Sequence, residues 1–299
     1  MVPVFVSGQY REIRNVRISV EEGLDARFVN SMIQDQKGYI WLGSSSGLIR
    51  YDGYRFENYN QHLNCANCDS VQPGTISALL LDESGMIWIQ SENHIFLFDP
   101  EREQSLRLTG IHENRTEELT FFRRKNPGMI IDRDGAIWAA GNTGLIRIIV
   151  SQDLQKSFTD RTSVQDVREL LEIEYIRISD EVVSRKNVVQ TICEDRAGNV
   201  WVGCLDGLYM KRAGSDQFAR FIPWDGTGSE VTREIFDLID VDGNTLLIAA
   251  EGGLFELKHV RQHDDPAAGY TSEVSIKLLY KESRKAIHTM FRAGNGDII

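Results

Sequence analysis

An all-β fold of repeated four-stranded antiparallel blades, a β-propeller, is predicted by three features of this 299-residue sequence: one phrase recurs, the recurrence has a blade-like period, and short β-prone runs surround each copy. The phrase reads Asp35-Gln-Lys-Gly38-Tyr-Ile-Trp41, Asp82-Glu-Ser-Gly85-Met-Ile-Trp88, Asp132-Arg-Asp-Gly135-Ala-Ile-Trp138 and Asp195-Arg-Ala-Gly198-Asn-Val-Trp201. A fifth copy, Asp240-Val-Asp-Gly243-Asn-Thr-Leu-Leu247, carries one extra residue and puts Leu in the Trp position. Successive Trp positions lie 47, 50, 63 and 46 residues apart. Units of that length bury their apolar faces on one another.

Each phrase reads as a β-hairpin. A β-prone run precedes it (28–33, 76–81, 129–131, 188–193, 235–239), the Asp supplies a side-chain acceptor for the turn, and the Gly tolerates positive φ. The Trp opens a second strand. Six residues on comes a second turn ending in Gly-Leu (Gly47-Leu48, Gly144-Leu145, Gly207-Leu208, Gly253-Leu254), with His94-Ile95 as the exception. A third strand follows, as in Ile49–Tyr51 or Phe96–Phe98, and a fourth is readable at 55–59, 171–178, 217–222 and 275–280. Helical repeats would need apolar residues at i, i+3 and i+4 over longer stretches than these turn-bounded runs allow.

The predicted organisation is one propeller domain over 1–299. Residues 10–26 form an N-terminal closing strand and lead-in, with blades at 27–60, 71–108, 124–178, 185–222 and 231–280 and the start of a sixth at 285–299. The inserts 151–170 and 259–273 fall mainly between strands three and four of blades three and five; the alternative for blade three is a fourth strand at 156–159, which would move its insert to the mouth. An incomplete seven-bladed ring is expected, an open arc whose edges at 15–20 and near Ile299 favour self-association.

Charge excludes one class of partner. A net charge of −11 argues against DNA or RNA, whose binding rests on phosphate neutralisation. No run approaches the ~18 apolar residues of a membrane helix. Of the four cysteines, Cys65 and Cys68 form a loop pair that reads as a disulfide in an oxidising compartment or as two idle thiols, with poor evidence for zinc. If Asp195 faces Gly198, Cys193 faces Val200 and Cys204 faces Val189, offset by roughly 13 Å, too far to bridge. The Asp132-x-Asp134-Gly135 and Asp240-x-Asp242-Gly243 phrases resemble the start of a calcium loop but lack its later Glu, so turn chemistry is preferred.

The first repeat, Asp35-x-x-Gly38-x-Ile-Trp41-Leu-Gly, then Gly47-Leu-x-Arg-Tyr-Asp-Gly53, then Phe56-x-x-Tyr59, resembles the two-component regulator propeller repeat. Repeats two to five match at the hairpin and at the turn that follows. The resemblance implies a seven-bladed propeller in the periplasmic or extracytoplasmic sensor of a bacterial membrane receptor. Its kinase or diguanylate cyclase output lies outside these residues, and homodimerisation would run through the full-length receptor. It implies a glycan-derived or other small ligand, no cofactor and no catalysis.

Ligand contacts are expected at the end of the ring that carries the loops between strands two and three and between blades. The three positions before each first strand hold a cation in five of six blades, giving a basic collar of Arg27, Arg124, Lys186, Arg233 and Lys285 suited to an anionic ligand such as an acidic oligosaccharide. The phrase residues Trp41, Trp88, Trp138 and Trp201, with Gly38, Gly85, Gly135, Gly198 and Gly243, are expected to be structural. An enzyme alternative is the streptogramin lyase propeller, which shares the Gly-x-[Ile/Val]-Trp phrase; the Glu92/His94 pair would be its acid-base candidate, with His288 in the final strand. A protein-interaction scaffold is the third reading.

Overall fold

The computed structural model describes residues 23–63, 74–91, 94–108, 128–151, 170–179, 185–221, 234–260, 273–280 and 290. It contains five four-stranded antiparallel sheets, each with its strands side by side in chain order. Blade one is β1 (Val29–Gln34), β2 (Ile40–Ser44), β3 (Gly47–Tyr51) and β4 (Phe56–Asn58); blade two is β5 (Ile76–Leu81), β6 (Ile87–Ser91), β7 (Ile95–Asp99) and β8 (Gln104–Arg107). Blade three is β9 (Met129–Ile131), β10 (Ile137–Ala140), β11 (Leu145–Val150) and β12 (Leu171–Ile176). Blade four is β13 (Val189–Glu194), β14 (Val200–Cys204), β15 (Gly207–Lys211) and β16 (Phe218–Phe221), and blade five is β17 (Ile235–Asp240), β18 (Thr245–Ala250), β19 (Gly253–Val260) and β20 (Glu273–Tyr280).

First strands of consecutive blades lie against one another. Fourth strands such as β4 and β16 are the more exposed, so the first strands form the inner wall and the fourth strands the circumference. The fourth strand of blade three is β12, which places the insert before it between strands three and four; residues 156–159 lie outside the described residues. The N-terminal closing strand expected at 15–20 also lies outside them, and the sixth blade is represented by Met290 alone.

The repeated phrase is built the same way four times. The Asp backbone N–H bonds the carbonyl four residues on, as Asp35 does to Tyr39 and Asp195 to Asn199, and the turn Gly donates back to the Asp carbonyl. All five turn glycines have φ between 82° and 88°, a region that a side chain would strain. The turn is therefore one residue longer than the sequence reading assumed, and Cys193 pairs with Trp201 rather than Val200. Cys204 nevertheless pairs with Val189, because a bulge between Val189 and Thr191 absorbs the extra residue. Both thiols are free, and burial pushes that of Cys193 up to about 12.

Each Trp fills the gap between its blade and the next. Trp41 packs with Ile76, Leu79, Ile87 and Phe98 of blade two, Trp88 with Met129, Ile137 and Ile148 of blade three, and Trp138 with Val189, Ile192 and Val202 of blade four. Trp201 meets Ile235, Leu238 and Leu257 of blade five. All four indoles are at most 1 % exposed. Two residues after the Trp, Gly43 and Gly203 let the next blade approach: a Cβ on Gly203 would stand 2.5 Å from the Ile235 side chain. In blade two that position is Gln90, fully buried, whose amide nitrogen instead donates to the Ala140 carbonyl of blade three at 2.7 Å.

Candidate functional site

The repeat carboxylates are occupied by the fold. One oxygen of each accepts the indole N–H of its own Trp, at 2.8 Å for Asp35–Trp41, 2.9 Å for Asp82–Trp88, 2.7 Å for Asp132–Trp138 and 2.8 Å for Asp195–Trp201. The other accepts the backbone N–H groups two and four residues on. A buried indole needs a partner, and a carboxylate in a turn can supply it. The turn role was legible in the sequence; the indole bond was not, although the constant six-residue spacing of Asp and Trp was its signal. In blade five, where Leu247 replaces the Trp, Asp240 accepts the Gly243 N–H instead, and Asp242 accepts that of Asn244.

At the mouth end, the loops between strands two and three and between blades come together. Arg27 is exposed just before β1. Lys186 is half-buried in the 3-10 turn Arg185–Asn187 before β13, so these two collar residues share an end of the ring. Neighbouring groups anchor that turn: the buried Asn187 accepts the Ile178 and Ser179 N–H groups, each at 2.9 Å, and Arg185 donates to the Leu205 carbonyl. Asn60 has the same task in blade one, bonding Leu48 N and Ser46 O. Arg124, Arg233, Lys285 and Glu92 lie outside the described residues, as does His288. His94 closes the β6–β7 turn through Ser91, and its ring meets that of Phe96 edge-on at 5.9 Å.

The opposite end carries the hairpin turns, and there the residue after each Asp reaches across to the next blade. Gln36 donates to the Glu83 carbonyl and lies beside Gly85. Arg133 pairs with Glu194 at 3.0 Å, donates to the carbonyls of Asp195 and Arg196, and covers Gly198. Arg196 in turn covers Gly243. Between blades two and three the latch is missing: Glu83 stands in the bridging position, Ile131 stands where blade four has Glu194, and nothing lies within 4 Å of a Cβ built on Gly135. A cleft of 770 Å³ opens there, with Trp88, Met86 and Ile137 among its apolar lining and Glu83 and Asp134 on its rim. Sequence reasoning missed this cleft. Its signal was an acidic residue after Asp82 where blades one, three and four carry Gln or Arg.

No curated protein matches the chain in sequence. The model for the two component regulator propeller matches residues 23–46 and 184–206, which cover the turn phrases of blades one and four. Among solved structures, the chain is similar to an extracellular domain from B. thetaiotaomicron assigned to a one component system (TM-score 0.62, 19% identity, 92% of this chain and 31% of that one). It is also similar to PorZ, a surface component of the type-IX secretion system of Porphyromonas gingivalis (TM-score 0.56, 17% identity, 78% and 32%). A third likeness is to a virginiamycin B lyase from Staphylococcus aureus (TM-score 0.51, 9% identity, 85% and 71%). At these identities the likeness is one of fold, and the chain spans about a third of the length of the first two structures. Blades one and four thus carry the sequence of the two component regulator propeller repeat, and all five blades share its four-stranded architecture.

Proposed function

We propose that this chain is a ligand-sensing propeller region of a bacterial signal-transduction receptor, positioned outside the cytoplasm and coupled to a kinase or cyclase output. The observation that carries the reading is the match of blades one and four to the two component regulator propeller, a repeat tied by its description to signalling rather than to catalysis. The extracellular domain from B. thetaiotaomicron with the same fold supports an extracytoplasmic position, and no helix among the described residues is long and apolar enough to cross a membrane. The ligand is a glycan-derived anion held at the mouth, where Arg27 and Lys186 enter the first strands and Arg124, Arg233 and Lys285 complete the basic set by sequence position. Charge-assisted hydrogen bonds to such residues weaken with salt.

Isothermal titration of the 299-residue protein with uronate-containing and neutral oligosaccharides tests this, with product analysis of the same samples. Saturable, salt-sensitive binding without turnover is expected, weakened by Arg233→Glu or Lys186→Glu with the melting temperature unchanged. Turnover of a ligand would move the protein to the lyase reading, and charge reversals without effect would remove the collar.

A further inference from the structure

Repetition supplies an internal control, because the same slot can be compared at successive blade interfaces. In blade two Phe98, opposite Ile87, packs against Trp41 of blade one. The corresponding residues are Ile148 in blade three and Leu257 in blade five, both at most 1 % exposed. In blade four the residue is Lys211, opposite Val200. Its amine lies 5.9 Å from the Trp138 ring centroid.

A second slot at the same interface has also changed. Tyr59 in blade one sits edge-on to Trp41, with ring centroids 4.9 Å apart, under the Arg50 guanidinium at 4.7 Å, and donates its hydroxyl to Glu103 of blade two at 2.9 Å. Blade three retains the guanidinium as Arg147, paired with Glu174 as Arg50 is with Glu57. Blade four supplies the facing carboxylate as Asp216, two residues before Phe218 as Glu103 of blade two is two before Ser105. The ring between them is gone, since Ile176 occupies the Tyr59 position opposite Leu145. Phe218 supplies one compensating edge-on contact to Trp138, at 6.4 Å, but does not fill the space.

What remains is a pocket of 520 Å³ on the outer side between blades three and four, lined by Arg147, Glu174, Ile176, Lys211 and Asp216 among others. Arg147 Nε is buried there without an acceptor. An unmade bond on a buried donor costs about 1–3 kcal/mol, so the guanidinium keeps an uncompensated positive charge beside the pocket. Among the described residues neither Lys211 nor Asp216 has an ion-pair partner.

We propose that this pocket binds a small hydroxyaryl carboxylate. Its ring takes the place that Tyr59 fills in blade one, its hydroxyl donates to Asp216, and its carboxylate meets Lys211 Nζ on the side of the Arg147 guanidinium. The guanidinium over the ring face adds a cation–π contact that a sugar ring cannot offer. The pocket lies away from the mouth, and the inference stands or falls independently of the ligand proposed there.

Isothermal titration of the 299-residue protein with 4-hydroxyphenylacetate tests it, beside phenylacetate and galacturonate. Saturable binding is expected for 4-hydroxyphenylacetate, weaker for phenylacetate. Lys211→Met should weaken it by about tenfold, the loss of one charged contact. Ile176→Tyr rebuilds the blade-one arrangement and should abolish binding while the melting temperature holds or rises; should that variant misfold, Ile176→Phe gives the same reading. Absence of saturable binding at millimolar concentration overturns the proposal, and so does full binding by Ile176→Tyr. Galacturonate binding as tightly as the aryl acid and lost, like it, in Ile176→Tyr would also overturn it, since recognition in the pocket would then lie in hydroxyls and charge rather than in a ring face; galacturonate binding that survives Ile176→Tyr belongs to the mouth.

Discussion

Replacing a repeat Trp by Phe removes the indole donor and keeps most of the apolar ring, and two blades differ in what the Asp is left with. In blade three the outer oxygen of Asp132 accepts from Trp138 Nε1, at 2.7 Å, and no other bond to it is seen among the described residues. In blade four the matching oxygen of Asp195 accepts from Trp201 Nε1 and also from Asn199 Nδ2, both at 2.8 Å. Burial is closely matched, with Asp132 at 8 % and Asp195 at 6 % exposed and both indoles at most 1 %, so the cavity and transfer costs of the substitution largely cancel in the comparison. A hydrogen bond to a charged group contributes about 1.5–3 kcal/mol, and stripping a buried carboxylate oxygen of its last donor adds its desolvation. Trp138→Phe should therefore destabilise by about 1–2 kcal/mol more than Trp201→Phe. In an Asn199→Ala background the Trp201→Phe cost should rise toward the blade-three value, a coupling readable from the double-mutant cycle. Urea unfolding followed by far-ultraviolet circular dichroism avoids the lost Trp fluorescence. Equal costs in the two blades, or no coupling to Asn199, would refute the view that the Asp–indole bond contributes to blade stability.

Other consequences can be tested with the same protein. Gly203→Ala should cost about 1–3 kcal/mol, because its Cβ would meet Ile235 and Thr191, and Ile235→Val in the same chain should recover part of the loss; denaturant midpoints decide it. Truncating Trp41 or Trp88 to Ala should cost about 3–5 kcal/mol each in the same assay. Cys193 and Cys204 should resist alkylation in the folded protein at pH 8 and react fully in urea, since burial pushes both thiols up; site-resolved mass spectrometry that finds either modified natively would contradict the packing. Arg133→Ala, which removes the turn-to-turn bridge to Glu194, should cost about 1 kcal/mol because the Arg133 side chain is half exposed, while speeding hydrogen exchange at the Asp195 turn.

Local chemistry made the blades legible. The Asp-x-x-Gly turn, the Trp and the alternation around them are decided within a few residues of one another, and the structure follows them closely, including β12 as the fourth strand of blade three. Register was less legible. The bulges at Val29, Ile76, Val189 and Ile235 recur in four blades, yet no residue type marks them, since the bulged residues are Asn30, Ser77, Gln190 and Phe236. Contacts between blades were hardest to read, because each joins positions some 45 to 60 residues apart, as Arg133 and Glu194 are. The collar shows the same limit: a shared sequence position places Arg27 and Lys186 at one end of the ring, but not on one ligand.

Departures from a repeat separate structural compensation from something else. Gln90 breaks the Gly rule, and its amide meets the backbone of the next blade, so the interface is restored. Leu247 breaks the Trp rule, and Asp240 turns its oxygen to Gly243, so no acceptor is stranded. Lys211 breaks the apolar rule, and its amine over the Trp138 ring and the Phe218 edge contact repair the interface only in part: it brings a second cation beside Arg147 while Ile176 withdraws the ring that would have filled the gap. An interface selected only for packing would favour Phe, Ile or Leu in that slot, as the other described interfaces have. A position that costs packing and sets a second cation beside a guanidinium suits a bound anion better than the free fold, which makes Lys211→Phe informative in the other direction: it should raise the melting temperature of the free protein.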